Sequence, residues 1–211
     1  MLDVHCHVWL DSLRDRMPAV SDKEKRTVTW SNLVAKDNSI EDLQETYPMR
    51  TVHMEPLTHE AFAPFGQFYP MEQPQGYALS GELHRFFPDR LTADSQHRIG
   101  FSTILVKKPE RMLITQQEYH TTTWEMILPM NDDMILHCAP ASGGTPVTEL
   151  AQAFLVPKHT LVRLNAAIWH LAPLPATADE LAAMIILPEC TYANDCTAVD
   201  LTPEQQFEIV R

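Results

Sequence analysis

Residues 118–138 read EYHTTTWEMILPMNDDMILHC, and the texture of this stretch decides the fold class. Trp124 to Pro129 and Met134 to Cys138 are apolar runs of strand length. Between them stands Asn131-Asp132-Asp133, a cluster of turn formers that predicts a hairpin. Ahead of both runs, Glu118, His120 and Glu125 form the pattern E-x-H-x(4)-E. Side chains alternate along a strand, so positions 118 and 120 share one face. Glu125 has the opposite parity and rejoins them only if Thr121-Thr122-Thr123 turns or bulges.

The same texture extends in both directions. Phe101 to Val106, Met112 to Thr115, Ala153 to Val156, Thr160 to Leu164 and Ala182 to Leu187 are further strand-length runs. Lys107-Lys108-Pro109, Ser142-Gly143-Gly144 and Pro157-Lys158 separate them as turn signals. Many short strands at close spacing predict an antiparallel sandwich or barrel. A short helix is expected over His59 to Phe65. Another is expected after Thr202, with Pro203 at its first position and Gln205 completing a capping box. Pro is frequent (16) and Gly scarce (6), which suits short strands with Pro-marked turns.

Residues 1–50 differ from the rest. They hold 7 basic and 9 acidic residues, whereas residues 51–211 hold 9 and 19. Only Ile40, Leu43 and Tyr47 suggest a helical face there, with Ser39 as its cap. A break at Tyr47-Pro48 predicts an N-terminal extension over residues 1–50 and a β-barrel domain over residues 51–211. The extension is expected to be flexible or a fusion remnant.

Composition excludes several function classes. A net charge of −12 argues against nucleic acid, which is bound through Lys and Arg on phosphates. No run approaches the roughly 18 apolar residues of a membrane span, so no membrane partner is expected. Asp3, His5 and His7 stand where a secretory leader would carry basic and then apolar residues. Cys6, Cys138, Cys190 and Cys196 form no C-x-x-C pair and are expected to be reduced thiols in a cytoplasmic protein.

The chemistry is expected around Glu118, His120, Glu125 and His170. An imidazole from each of two strands, joined by one or two carboxylates, suits a divalent ion such as Zn, Mn, Fe or Ni. His84, His97, His137 and His159 have no spacing partner, and Trp124 and Met126 read as packing residues. A metal-free alternative leaves Glu118 and Glu125 as solvated strand-edge residues and His170 as a hydrogen-bonded core histidine.

These residues resemble the cupin metal motif H-x-H-x(4)-E, with Glu118 in place of the first histidine and His170 at the second motif's histidine. From about residue 54 onward the chain is more specifically similar to the ureidoglycolate lyase family, small cupin enzymes of allantoin breakdown. Pro56-Leu57-Thr58-His59-Glu60-Ala61-Phe62-Ala63-Pro64-Phe65-Gly66, the His120 to Met130 segment, Trp169-His170 and Asn194-Asp195-Cys196 carry the similarity. The family has Gln where this chain has Glu125, polar residues where it has Ala166-Ala167, and a second histidine where it has Leu171.

The resemblance implies an all-β, cupin-like double-stranded β-helix (jelly-roll) barrel with a few short helices. It implies a carbon–nitrogen lyase that eliminates urea from ureidoglycolate and leaves glyoxylate. Glu118, Glu125 and His170 would be catalytic; Glu118, His120, Glu125 and His170 would hold the metal. The small carboxylate substrate would be gripped by Arg85 or Arg163, since guanidinium binds carboxylate in a fork. Beside Phe86 and Phe87, Arg85 reads equally as a stacked structural arginine. Pairing of edge strands would make a homodimer. The alternatives are a metal-dependent cupin lyase or isomerase acting on another small hydroxy or sugar acid, and a non-catalytic small-ligand-binding cupin.

Asp3-Val4-His5-Cys6-His7 also resembles the opening strand of metal-dependent amidohydrolases, where two histidines bind a catalytic metal. Such a barrel needs about 250 residues, so no second active site is expected at His5 and His7.

Overall fold

The computed structural model describes residues 49–211. The helix expected at Ile40 to Tyr47 and the Asp3-to-His7 motif lie outside the described residues. In chain order the elements are β1 (Arg50–Pro56), α1 (His59–Phe62), β2 (Gly66–Pro70), β3 (Leu79–Ser80), β4 (Arg85–Phe86) and β5 (Ile99–Lys107). Then come β6 (Leu113–Ile114), β7 (Gln116–Tyr119), β8 (Glu125–Pro129), β9 (Met134–Cys138), β10 (Gln152–Val156) and β11 (Thr160–Leu164). The chain closes with β12 (Leu174–Pro175), β13 (Glu180–Pro188), α2 (Thr191–Asn194), β14 (Thr197–Asp200) and β15 (Phe207–Val210).

The strands form a six-stranded sheet, β12-β9-β10-β1-β15-β6, and a five-stranded sheet, β2-β11-β8-β13-β5. Leu136 and Phe154 from the first meet Ile127, Val162 and Ile185 from the second in one apolar core, joined by Phe62 and Phe65. These two sheets are the all-β sandwich or barrel that the strand pattern predicts, and they agree with the cupin-like jelly roll that the resemblance implies. The six-stranded sheet is covered on its other face as well. Along β9, Met134, Leu136 and Cys138 enter the first core, whereas Ile135 enters a second one with Trp169 and Phe207. Burial on both faces explains why β9 reads as an unbroken apolar run. Among the described residues no helix is long and apolar enough to cross a membrane.

Three local expectations are corrected. Asn131-Asp132-Asp133 makes no hairpin, because β8 and β9 belong to different sheets. Its side chains instead tie down other segments. Asn131 bonds Glu180 and Ala182, Asp132 accepts from Thr177 and Ala178, and Asp133 accepts from the Lys158 N–H. No helix follows Thr202: its N–H does donate to the Gln205 side chain, but Phe207 goes into β15 and its burial overrides the cap. The sheets are also not wholly antiparallel, since β1 runs parallel to both β10 and β15.

The short helix does form, with the Thr58 hydroxyl accepting from the Ala61 N–H at 3.2 Å. Gly66 then opens β2 against β11. A Cβ there would lie 1.9 Å from the Arg163 carbonyl oxygen, so only glycine allows this approach.

Candidate active site

The site is built where β7 ends. Tyr119 packs its ring against Trp169 in the second core, with centroids 4.2 Å apart, so Glu118 and His120 turn to the opposite face. An isolated antiparallel bridge joins Glu118 to His170: the Glu118 N–H donates to the His170 carbonyl at 2.7 Å, and the His170 N–H returns the bond at 2.9 Å. The Ala167 N–H donates to the His120 carbonyl at 2.7 Å, from a backbone held at φ 65° in the left-handed region. Thr121 to Trp124 leave the strand, and Glu125 enters β8 opposite Leu164, pointing into the first core.

The four residues singled out by spacing therefore meet inside the barrel. His120 and His170 are each 2 % exposed and Glu125 is 4 % exposed. Both Nε2 atoms lie 3.0 Å from the same oxygen, Oε2 of Glu125. Glu118, His120 and His170 each offer a ligand atom, all within 4.8 Å of one another.

The other ring nitrogens settle the proton positions. His120 Nδ1 faces the Asp195 carbonyl and His170 Nδ1 faces the Ile168 carbonyl, each at 2.8 Å. A carbonyl only accepts, so each Nδ1 carries a proton. In the neutral ring Nε2 is then a bare lone pair aimed at a carboxylate oxygen, which also only accepts. Positive charge at the centre resolves this opposition, either as a second proton on the rings or as one metal ion. The donor set, two imidazole nitrogens with carboxylate oxygens, fits a divalent first-row ion, and the carbonyl bonds are the outer contacts that orient such histidines.

The electrostatics agree. Burial pushes the Glu125 carboxyl up, but hydrogen bonds from His120 and His170 and their charge outweigh it and hold it at about 2. Burial pushes His170 down, whereas the bond to Glu125 and its charge carry it above the ordinary histidine value. His137, on the other face of β9, is depressed to about 3 by burial and the nearby charge of His170, and so stays neutral. Burial and the Glu125 charge push the Cys138 thiol up.

The two arginines are placed elsewhere. Arg163 alternates with Val162 and Leu164, which fill the core, so it faces the outer side of its sheet. There it donates to the Thr92 carbonyl and to Asn165 Oδ1, each at 2.8 Å. Arg85 lies over the Phe87 ring, 4.9 Å from its centroid. It lines an outer cleft of about 440 Å³ with Tyr69, Arg90 and Leu161, which shares no residue with the His/Glu group.

Sequence spacing missed the segment that backs the site. The Asp195 carboxylate accepts from Thr121 and Thr122, and the Cys196 thiol lies 3.4 Å from Glu118 Oε2. Burial, the Glu118 charge and that contact push Cys196 up to about 12, so it stays a neutral thiol. The only signal for this segment was the family-like Asn194-Asp195-Cys196 tripeptide, which spacing alone did not connect to His120.

Solved structures offer only remote likeness: a dTDP sugar isomerase from Desulfovibrio desulfuricans has a TM-score of 0.38 at 9 % identity, over 66 % of this chain and 83 % of that chain. Sequence relatives are nearer. The ureidoglycolate lyase of Pseudomonas paraeruginosa is 25 % identical over 163 residues, covering 75 % of this chain and 95 % of that protein. The one from Pseudomonas entomophila is 26 % identical over 166 residues, covering 77 % and 98 %. The family model described as ureidoglycolate lyase matches residues 49–208, which takes in the two cores except Ile209 and all four residues of the His/Glu group, and the chain belongs to the ureidoglycolate lyase family.

Proposed function

We propose that the protein is a ureidoglycolate lyase that eliminates urea from ureidoglycolate and leaves glyoxylate, a step of allantoin catabolism. The observation that carries the reading is the convergence of two tautomer-fixed imidazoles on Glu125 inside the barrel, beside the less buried Glu118. The reaction needs a base for the substrate hydroxyl and an acid for the departing nitrogen. One proton satisfies both. It leaves the hydroxyl as the carbonyl forms and the C–N bond breaks, and it ends on the ureido nitrogen.

Glu118 is the carboxylate best suited to carry that proton, because its partner is the weakly donating Cys196 thiol. Glu125 and His170 set the charge of the centre and orient it. His120, Glu125 and His170, joined by Glu118 when it is not serving as the base, would hold a divalent ion of the Zn, Mn, Fe or Ni type, which when bound supplies Lewis acidity toward a substrate oxygen. We do not assign the substrate carboxylate to Arg163, whose guanidinium is already engaged on the outer face of the sheet.

A homodimer is part of this reading. Among the described residues, strand β5 is the edge of the five-stranded sheet and exposes Phe101 and Leu105, an edge of the kind proteins cover. A monodisperse monomer in light scattering would remove that element. Residues 1–50 are read as a separate extension and the protein as cytoplasmic.

The direct test is release of urea and glyoxylate from ureidoglycolate by purified protein, before and after chelation and with single metals added back. Turnover lost on chelation and restored by one metal supports the whole reading. Turnover indifferent to chelation removes the metal. No turnover with any metal overturns the substrate, leaving a cupin that acts on another small hydroxy acid or only binds one.

A further inference from the structure

Asp195 makes four hydrogen bonds to the three residues that begin with His120. Its backbone carbonyl accepts from His120 Nδ1–H at 2.8 Å. Its carboxylate accepts from the Thr121 N–H at 2.8 Å, the Thr122 N–H at 2.9 Å and the Thr122 hydroxyl at 2.8 Å. The topology explains the meeting. β14 pairs antiparallel with β7, with Thr197 opposite Tyr119, and two further residues in that register bring position 195 beside position 121. On its other side Asp195 closes α2, its N–H donating to the Thr191 carbonyl at 2.7 Å.

These bonds act on the two features that make the site. The carbonyl bond selects the tautomer of His120 that leaves Nε2 toward Glu125. The carboxylate bonds hold the turn over residues 121 and 122, through which Glu125 returns to the face of His120 despite its opposite parity. Loss of the carboxylate would free the turn and let the His120 ring and the Asp195 carbonyl drift apart.

We propose that Asp195 is a positioning residue that fixes the ring of His120 and the return of Glu125, and thereby sets the metal affinity of the centre. The proposal rests on the reading of His120 and Glu125 as ligands. Asp132 supplies a matched control. Its carboxylate holds Thr177 and Ala178 through the same three kinds of bond, at 2.7, 2.6 and 2.7 Å, in the 131–133 connection at the far end of β8 from Glu125.

The experiment uses full-length protein labelled with ¹⁵N-histidine and stripped of metal, with the His120 signal identified from the spectrum of H120Q. In the wild type the Nδ1–H proton of His120 should be slow to exchange. Asp195→Ala should broaden or abolish it and weaken zinc binding by about 10–100-fold in a competition titration. Asp132→Ala should keep both properties while losing thermal stability. Thr122→Val, which removes one of the three carboxylate bonds, should fall between wild type and Asp195→Ala, and it carries the test if Asp195→Ala does not fold. An unchanged Nδ1–H signal with unchanged zinc affinity overturns the proposal, as do equal losses in the Asp132 and Asp195 variants. If the wild type binds no zinc, the metal reading falls, and loss of the Nδ1–H signal in Asp195→Ala but not in Asp132→Ala still supports the positioning role.

Discussion

The rings of His120 and His170 meet edge to face with centroids 5.3 Å apart, and both present Nε2 to Glu125 Oε2 at 3.0 Å. Since each Nδ1 is already committed to a carbonyl, the charge of Glu125 is what lets two like-oriented imidazoles share so small a space.

Glu125→Gln tests that charge most directly. The amide keeps the shape but removes the anion, and one of its arms becomes a donor. In metal-free protein, breaking a buried charged pair on one side is expected to lower stability by about 3 kcal/mol. Zinc affinity should drop by at least about 10-fold. Chemical denaturation and equilibrium dialysis measure the two effects separately.

The pH dependence of the metal-free protein follows from the same group. Glu125 falls from an ordinary 4.5 to about 2 on folding, so its contribution is present above 4.5 and is lost as pH drops toward 2. His170 rises above its ordinary 6.5, so its contribution is complete below 6.5 and is lost as pH climbs through the raised value. Both contributions are complete between pH 4.5 and 6.5, but His137, held neutral down to about 3, costs stability as pH falls below 6.5, so thermal stability without metal should peak near pH 6.5 and decline as His170 loses its proton above it. Added zinc should reverse the alkaline decline, because the ion and the protons compete for Nε2. Scanning calorimetry with and without zinc at pH 6.5, near the expected maximum, and at pH 8 decides this, and a flat profile in both would count against the charge assignment.

Gly66→Ala probes the seam between β2 and β11. The added methyl meets the Arg163 carbonyl oxygen at 1.9 Å, a backbone atom held in a ladder on both sides. Overpacking of this kind is expected to destabilise by about 1–3 kcal/mol or more. A urea midpoint unchanged from wild type would contradict the close approach.

Arg163→Ala separates fold from chemistry. The guanidinium ties the loop at Thr92 and the side chain of Asn165 on the outer face, so its loss should lower the melting temperature modestly. kcat/KM for ureidoglycolate should remain essentially as in the wild type. A large rise in KM would return Arg163 to the substrate.

The strands were legible because alternation and turn chemistry are local. Thr160–Leu164, Met134–Cys138 and the core of Ile99–Lys107 follow from apolar runs bounded by Pro, Lys and Asn-Asp clusters. The Thr202 capping residues and Asn131-Asp132-Asp133 misled for the converse reason. Each has the local chemistry of a helix start or a hairpin, but what the following residues bury, Phe207 in one core and Met134 in another, decided the outcome.

By itself the sequence determined the β-rich class, the acidic balance and the identity of four residues, Glu118, His120, Glu125 and His170, able to act together. Only the tertiary structure decided how they act. Face parity in β11 sends Arg163 outward, and pairing across 75 residues brings the Asp195 carbonyl to His120. Spacing in a chain fixes which side chains share a face of one strand. It carries no information on which strand, loop or carbonyl from a distant segment will close over that face, because that choice is made by burial of the whole core.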